Sequence, residues 1–293
     1  METLKKDDQQ QLISLIECPR DAMQGWKTFI PTEKKVEYLN SLLQVGFDTL
    51  DFGSFVSAKA IPQMADTHAV LKNLDLRDTK TKLLAIVANT RGAEEAAAYG
   101  ALACLGFPFS VSETFQQRNT HSSMMDSLVT VERIQDICLK YGKTLVVYIS
   151  MGFGNPYGDP WSAEIVFDWV YQISQLGVRI ISLADTVGLS TAAQVSFVTG
   201  FLVQQLPDHV IGVHLHSRPE TWKPKIEAAL NSGCLRFDGA IKGIGGCPMA
   251  NDELVGNMNT EWMMDYFKPL GLLPRMDQEA LIKSIRLAEE IFI

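Results

Sequence analysis

The chain has 293 residues, 46% of them apolar or aromatic and 20% charged, so it can bury a large core and is neither disordered nor collagen-like. A formal net charge of −8 argues against a duplex nucleic-acid surface, because such footprints are usually basic. The five cysteines (Cys18, Cys104, Cys138, Cys234 and Cys247) are odd in number and show no C-x-x-C spacing, which disfavours a disulfide framework or zinc ribbon and favours a reducing compartment.

The N-terminal METLKKDDQQ lacks an apolar signal core, and no run reaches ~18 uninterrupted apolar residues. The expectation is a soluble cytoplasmic protein with no membrane span. Eight short apolar runs recur along the chain. The first, Leu12–Glu17, precedes Arg20 and Asp21. A helix is predicted over Thr32–Val45, with Val36, Leu39, Leu42 and Leu43 on one stripe and Gly46 at its C-terminal end. Runs at Phe47–Phe52, Leu83–Asn89 and Ala101–Phe107 follow, with a short helix over Ala93–Tyr99. A helix over Met124–Tyr141 leads to the run Thr144–Ser150, and one over Ala163–Leu176 leads to Val178–Asp185. Thr191–Leu206 then leads to Val210–His216, and Trp222–Asn231 to Arg236–Ile241. The last part, 261–293, has a helical pattern and is expected to pack on the exterior or between subunits.

Near-continuous apolar runs are the mark of strands buried on both faces. Several of the helices end in glycine and then a strand, the chemistry of a parallel αβ connection. Eight such units in a chain of this length predict one TIM (β/α)8 barrel spanning 1–293, with a C-terminal helical extension. A doubly wound open sheet is the rival.

Barrel enzymes work at the C-terminal ends of their strands. There the sequence places Asp51, Asn89, Asp185, the pair His214 and His216, and a glycine-rich loop carrying Cys247 and Asn257. Two histidines two residues apart on a strand point to one face, as metal ligands would. Asp21 and Asp185 both qualify as a third ligand. Two imidazoles, a carboxylate and waters suit Mg²⁺ or Mn²⁺, though the histidines alone would equally permit Zn²⁺ or Fe²⁺. Arg20 reads either as half of a rim salt bridge or as a fixed cation for a developing enolate. Cys247, after two glycines, is better placed than the other cysteines to exchange protons, and its loop could close as a lid.

These residues fall in ordered motifs: PRDAMQ at Pro19–Gln24, SFVSAKAIPQMAD at Ser54–Asp66, SETF at Ser112–Phe115, NPYGDP at Asn155–Pro160, SLADTVG at Ser182–Gly188, HLH at His214–His216 and GIGGCP at Gly243–Pro248. In that order, from about Ile16 to Glu261, the chain resembles the 3-hydroxy-3-methylglutaryl-CoA lyase family of metal-dependent barrels. The resemblance implies retro-Claisen cleavage of that thioester to acetyl-CoA and acetoacetate, with Mg²⁺ or Mn²⁺ as cofactor. It implies Asp21, His214, His216 and Asn257 as metal ligands, and Arg20, Cys247, Asp185 and His214 as catalytic groups. Arg20, Gln24, Asp51, Asn89, Ser182 and Thr186 would line the substrate site. An acyl-CoA partner and a homodimer or higher homo-oligomer are implied as well.

The chain also departs from the family pattern. Asp51 replaces a glutamate, and Cys18, Ala22 and Met23 replace glycine, glycine and leucine. Ser217 stands where an aspartate usual in the family could orient an imidazole. The loop from Cys247 to Asn257 is one residue longer than usual and holds Asp252 and Glu253, which would repel a CoA phosphate. A sister lyase or synthase for another 3-hydroxyacyl-CoA is the first alternative, and a non-catalytic metal- or CoA-binding barrel the second. A synthase usually needs more C-terminal sequence.

Overall fold

A computed structural model of the chain describes residues 11–246 and 255–293. Its eight strands pair in chain order and close into a parallel barrel. They are β1 Ser14–Glu17, β2 Thr49–Ser54, β3 Lys82–Ile86, β4 Leu102–Ser110, β5 Thr144–Ser150, β6 Ile180–Ala184, β7 Val210–His214 and β8 Arg236–Gly239. The open-sheet rival is excluded, because β1 pairs with both β2 and β8.

The helices between them begin with α1 Pro19–Gln24, α2 Thr32–Leu43, α3 Thr67–Lys72, α4 Thr90–Ala97 and α5 Glu113–Thr120. They continue with α6 Met124–Tyr141, α7 Ala163–Gln175, α8 Ala192–Gln205 and α9 Trp222–Asn231, and end with α10 Thr260–Phe267 and α11 Gln278–Ile291. Alternation along the strands divides the core in two. On β3, Leu83 and Ala85 face the helical layer, whereas Leu84 and Ile86 meet Cys104, Val146 and Tyr148 inside the barrel.

The sequence missed α1 and α3, six residues each and too short to show a full helical stripe, and α5, whose ETFQQRNT is polar at all but one position. It also ended the fourth run at Phe107, yet β4 continues past Pro108, whose ring offers no N–H to a ladder, to Ser110 beside β5. The tail packs on the barrel exterior. Phe292, just past α11, meets Trp26 and Tyr38 edge-on, and Ser284 and Ser41 hydroxyls lie 2.8 Å apart. Among the described residues, no helix is long and apolar enough to cross a membrane.

Candidate metal centre and active site

PRDAMQ forms the short helix α1 directly after β1, with Pro19 in its first turn, where a missing N–H costs nothing. That turn places Arg20 and Asp21 at the barrel mouth. There one ligand atom each from Asp21, His214 and His216 lie within 4.8 Å of one another. Asn257 joins them through an isolated bridge to His216, and its Nδ2 donates to Asp21 Oδ2 at 2.8 Å and to the Ile244 carbonyl at 2.9 Å. The close approach needs Gly245, with φ +104°: a Cβ there would lie 2.6 Å from Asn257 Nδ2.

The donor set fits a divalent cation. Asn257 Oδ1 is buried without a hydrogen-bond partner, and an oxygen-preferring ion would satisfy it. His216 Nδ1 faces the Val255 carbonyl at 3.0 Å, and His214 Nδ1 faces Asp238 Oδ2 at 3.4 Å. Both partners can only accept, so each neutral ring carries its proton on Nδ1 and leaves the Nε2 lone pair for an ion. Burial alone would lower the His214 pKa, but its contact with Asp238 and the charges of Asp21 and Asp238 outweigh it and raise it. His216 goes the other way, lowered by burial and by His214. Burial pushes the Asp21 pKa up, yet the charges of Arg20, His214 and His216 win and bring it to about 2. Asp21 is thus an anion ready to ligate.

Arg20 is held on two sides. Its Nε and Nη2 reach Asp51 Oδ2 at 3.0 and 2.5 Å, and Nη1 reaches Asp21 Oδ1 at 2.9 Å. Three of its five N–H groups are therefore used, leaving two for the cavity that Arg20 lines. That cavity is about 400 Å³, and its lining includes the polar Gln24, Thr186 and both histidines and the apolar Val56, Ile61, Ile86 and Phe115. Gln24 also donates to Asp21 Oδ1 at 3.0 Å, and Thr186 accepts from the Met151 amide at 2.9 Å.

Other expected residues sit elsewhere. Asp185 does not line the cavity, and its carboxylate is consumed by Lys225 Nζ at 2.8 Å, Ser190 Oγ at 2.5 Å and the Ser190 amide at 3.1 Å. It therefore does not join the metal group, although its pattern qualified it as a ligand. Asn89 caps α4, its Oδ1 accepting from the Gly92 amide at 2.9 Å, and it does not line the cavity. Ser182 lies on β6 with its hydroxyl buried and unpartnered, outside the cavity lining. Asp51 is outside the cavity lining and meets the site by holding Arg20. Cys247, Asp252 and Glu253 lie outside the described residues. The serine after HLH bonds locally, its hydroxyl 3.0 Å from that of Thr221. Sequence reasoning missed Asp238, whose place beside His214 depends on strand register, and Arg118, which lines the cavity just beyond the SETF motif.

A closed parallel barrel with its acid, base and candidate ligand groups gathered at the C-terminal rim defines a TIM-barrel protein with an enzyme-type mouth. The HMGL-like family model matches residues 14–287, and the chain belongs to that lyase family. It is 31% identical over 272 residues to a hydroxymethylglutaryl-CoA lyase of Bacillus subtilis, covering 93% of this chain and 90% of that protein. It is 32% identical over 276 residues to the (R)-citramalyl-CoA lyase of Chloroflexus aurantiacus, covering 91% of this chain and 86% of that protein. The solved HMG-CoA lyase of Acinetobacter baumannii, in complex with coenzyme A and 3-methylmalate, superposes with a TM-score of 0.88 at 29% identity, over 96% of this chain and 91% of that one.

Proposed function

We propose that the chain is a divalent-metal-dependent carbon–carbon lyase that cleaves 3-hydroxy-3-methylglutaryl-CoA to acetyl-CoA and acetoacetate. The observation that carries this reading is the meeting of Asp21, His214 and His216 beside Arg20 at the cavity mouth. Asp21, His214 and His216 would hold Mg²⁺ or Mn²⁺, with the orphaned oxygen of Asn257 as a further donor. When bound, the ion supplies Lewis acidity that makes the tertiary C3 hydroxyl easier to deprotonate.

As the C2–C3 bond breaks, negative charge builds on the thioester oxygen. The two spare N–H groups of Arg20 meet it there, and Asp51 and Asp21 keep the guanidinium in place. The apolar wall of Val56, Ile61, Ile86 and Phe115 keeps water from the enolate carbon. Cys247 is the proposed donor of the proton that this carbon needs. The proton that the C3 hydroxyl loses is proposed to pass to His214. With Nδ1 turned to Asp238, that ring offers the cavity a single nitrogen, Nε2, which would serve either to hold the ion or to take the proton, one at a time. Asp185 acts at a distance, through Lys225, whose Nζ also donates to the His216 carbonyl at 2.9 Å. Arg118 is the cation proposed to face the polyanionic CoA portion. A cytoplasmic homo-oligomer belongs to the same reading, and light scattering would test the assembly.

A second reading is cleavage of citramalyl-CoA, which is shorter by one methylene. The (R)-citramalyl-CoA lyase is as similar to this chain as the hydroxymethylglutaryl-CoA lyase is. Incubation with each thioester and Mg²⁺ or Mn²⁺, following acetoacetate and pyruvate separately, decides between them. Acetoacetate release that is lost in Cys247→Ala is the expected result. Pyruvate alone would select the second reading, and turnover of neither by metal-replete protein would favour a non-catalytic barrel.

A further inference from the structure

Strands β7 and β8 lie side by side, with Gly212 opposite Arg236 and His214 opposite Asp238. Residues two apart share a face of a strand. Arg236 and Asp238 therefore point into the barrel, while Phe237 between them packs outward on Phe267, with ring centroids 4.8 Å apart. Neither charge is tolerable in the interior unless it is answered. Asp238 stands between the two: Oδ2 lies 3.4 Å from His214 Nδ1, and Oδ1 lies 3.9 Å from Arg236 Nη2, a contact of charges rather than a hydrogen bond, since neither of those last two atoms has a hydrogen-bond partner. The missing side chain of Gly212 makes room, since a Cβ there would lie 3.0 Å from Arg236 Cγ and Cδ. A side chain at 212 would press on the arginine where it lies across β7, and glycine leaves it that room.

Cys18, His214 and Asp238 also bring one ligand atom each within 4.8 Å of one another. A cation among them would face the Arg236 guanidinium, which already stands 3.9 Å from the carboxylate. The interior group is therefore a bridge between an arginine and a histidine.

We propose that Asp238 is the positioning residue for His214, fixing the ring with Nδ1–H inward and Nε2 toward the cavity, and that Arg236 holds Asp238 in register. This rests on His214 being a metal ligand. It extends that reading into the barrel interior, to residues that touch neither the ion nor the substrate. Carboxylates behind ligating histidines fix the tautomer and raise the basicity of the ligand.

Mn²⁺ titration of the full chain, followed by calorimetry or by the spectrum of free Mn²⁺, tests it alongside thermal melts. Asp238→Asn is expected to weaken binding by about 10–100-fold while the protein stays folded. Arg236→Met should weaken it less, and the double variant no more than Asp238→Asn alone, since both act through one ring. Unchanged affinity in folded Asp238→Asn overturns the proposal, and additive losses in the double variant overturn the role of Arg236. If Asp238→Asn does not fold, Gly212→Val asks the same question, because its branched side chain fills the space through which Arg236 reaches Asp238. A few-fold loss there supports the proposal, and wild-type affinity overturns it. A wild-type chain that binds no Mn²⁺ would sink the metal reading itself, and this inference with it.

Discussion

Asp21 and Asp185 are both buried aspartates at strand ends, and the chain uses them in opposite ways. Asp21 takes its hydrogen bonds from Arg20, Gln24 and Asn257, all at the cavity mouth, and shares that mouth with two imidazoles. Asp185 takes its bonds from Lys225 and Ser190, which close around it. One carboxylate is aimed and the other is sealed. A strand-end aspartate is thus not defined by its position, and what decides its role is whether the surrounding donors leave a lone pair facing open space.

Removing each side chain should break different things. Asp21→Ala is expected to abolish tight Mn²⁺ binding and to lower turnover by at least the ~100–1000-fold typical of a lost electrostatic partner, with little change in the melting temperature. Retained metal affinity would remove Asp21 from the ligand set. Lys225→Met leaves the Asp185 charge buried and unpaired, and should cost about 3–5 kcal/mol of stability in denaturant titration. Because Lys225 also holds the His216 carbonyl, metal affinity should weaken too, but less than in Asp21→Ala. A stable Lys225→Met protein would show that Asp185 is not sealed as described.

Glu17 extends the comparison to a third buried carboxylate. It faces the helical layer, where Oε1 accepts from the Ile241 amide at 2.8 Å and Oε2 from Thr260 Oγ1 at 2.6 Å. Burial raises its pKa to about 8, more than these two bonds lower it. The sign follows from linkage: the folded chain binds this proton more tightly than the unfolded chain. Its contribution to stability is greatest below pH 4.5 and erodes as the pH rises toward about 8. Glu17→Gln keeps the shape and one acceptor and removes the titration. The variant should match the wild type near pH 5 and gain on it by up to about 1.4 kcal/mol per pH unit toward pH 8. Parallel stability curves for the two proteins would show that Glu17 does not carry this linkage.

The barrel was legible because its strands are buried on both faces and several of its helices are followed by glycine and then a strand, two local signals repeated around the ring. Arg20, Asp21, His214 and His216 were legible because each stands at the end of a strand run or just past it. Asp238 was not. It lies on the eighth run, and only the pairing of β7 with β8 reveals its contact with His214. The fate of Asp185 was equally hidden, since Lys225 lies 40 residues away on α9 and meets it only through packing. Ser217 looked like the loss of an imidazole partner. The fold supplies the partners from elsewhere, a carboxylate on β8 and the carbonyl of Val255.

Asn257 offers the finest test of how Asp21 is aimed. Its Nδ2 orients Asp21 Oδ2 and ties down the Ile244 carbonyl, while its Oδ1 is left without a partner. Asn257→Ala removes all three features at once, yet leaves Asp21 its bonds to Arg20 and Gln24 on the other oxygen. Asp21 should therefore stay ionised and nearly in place. Metal affinity is expected to fall by about 10-fold, at the lower end of what loss of an orienting partner costs, and well short of the loss in Asp21→Ala. Asn257→Asp separates the two jobs of the amide. It restores an oxygen donor but cannot donate to Asp21, and it sets a second negative charge beside it. If the amide oxygen binds the ion, Asn257→Asp should recover part of the Mn²⁺ affinity that Asn257→Ala loses, because the cation offsets the added charge. If Asn257 only steers Asp21, the aspartate variant should bind no better than the alanine one.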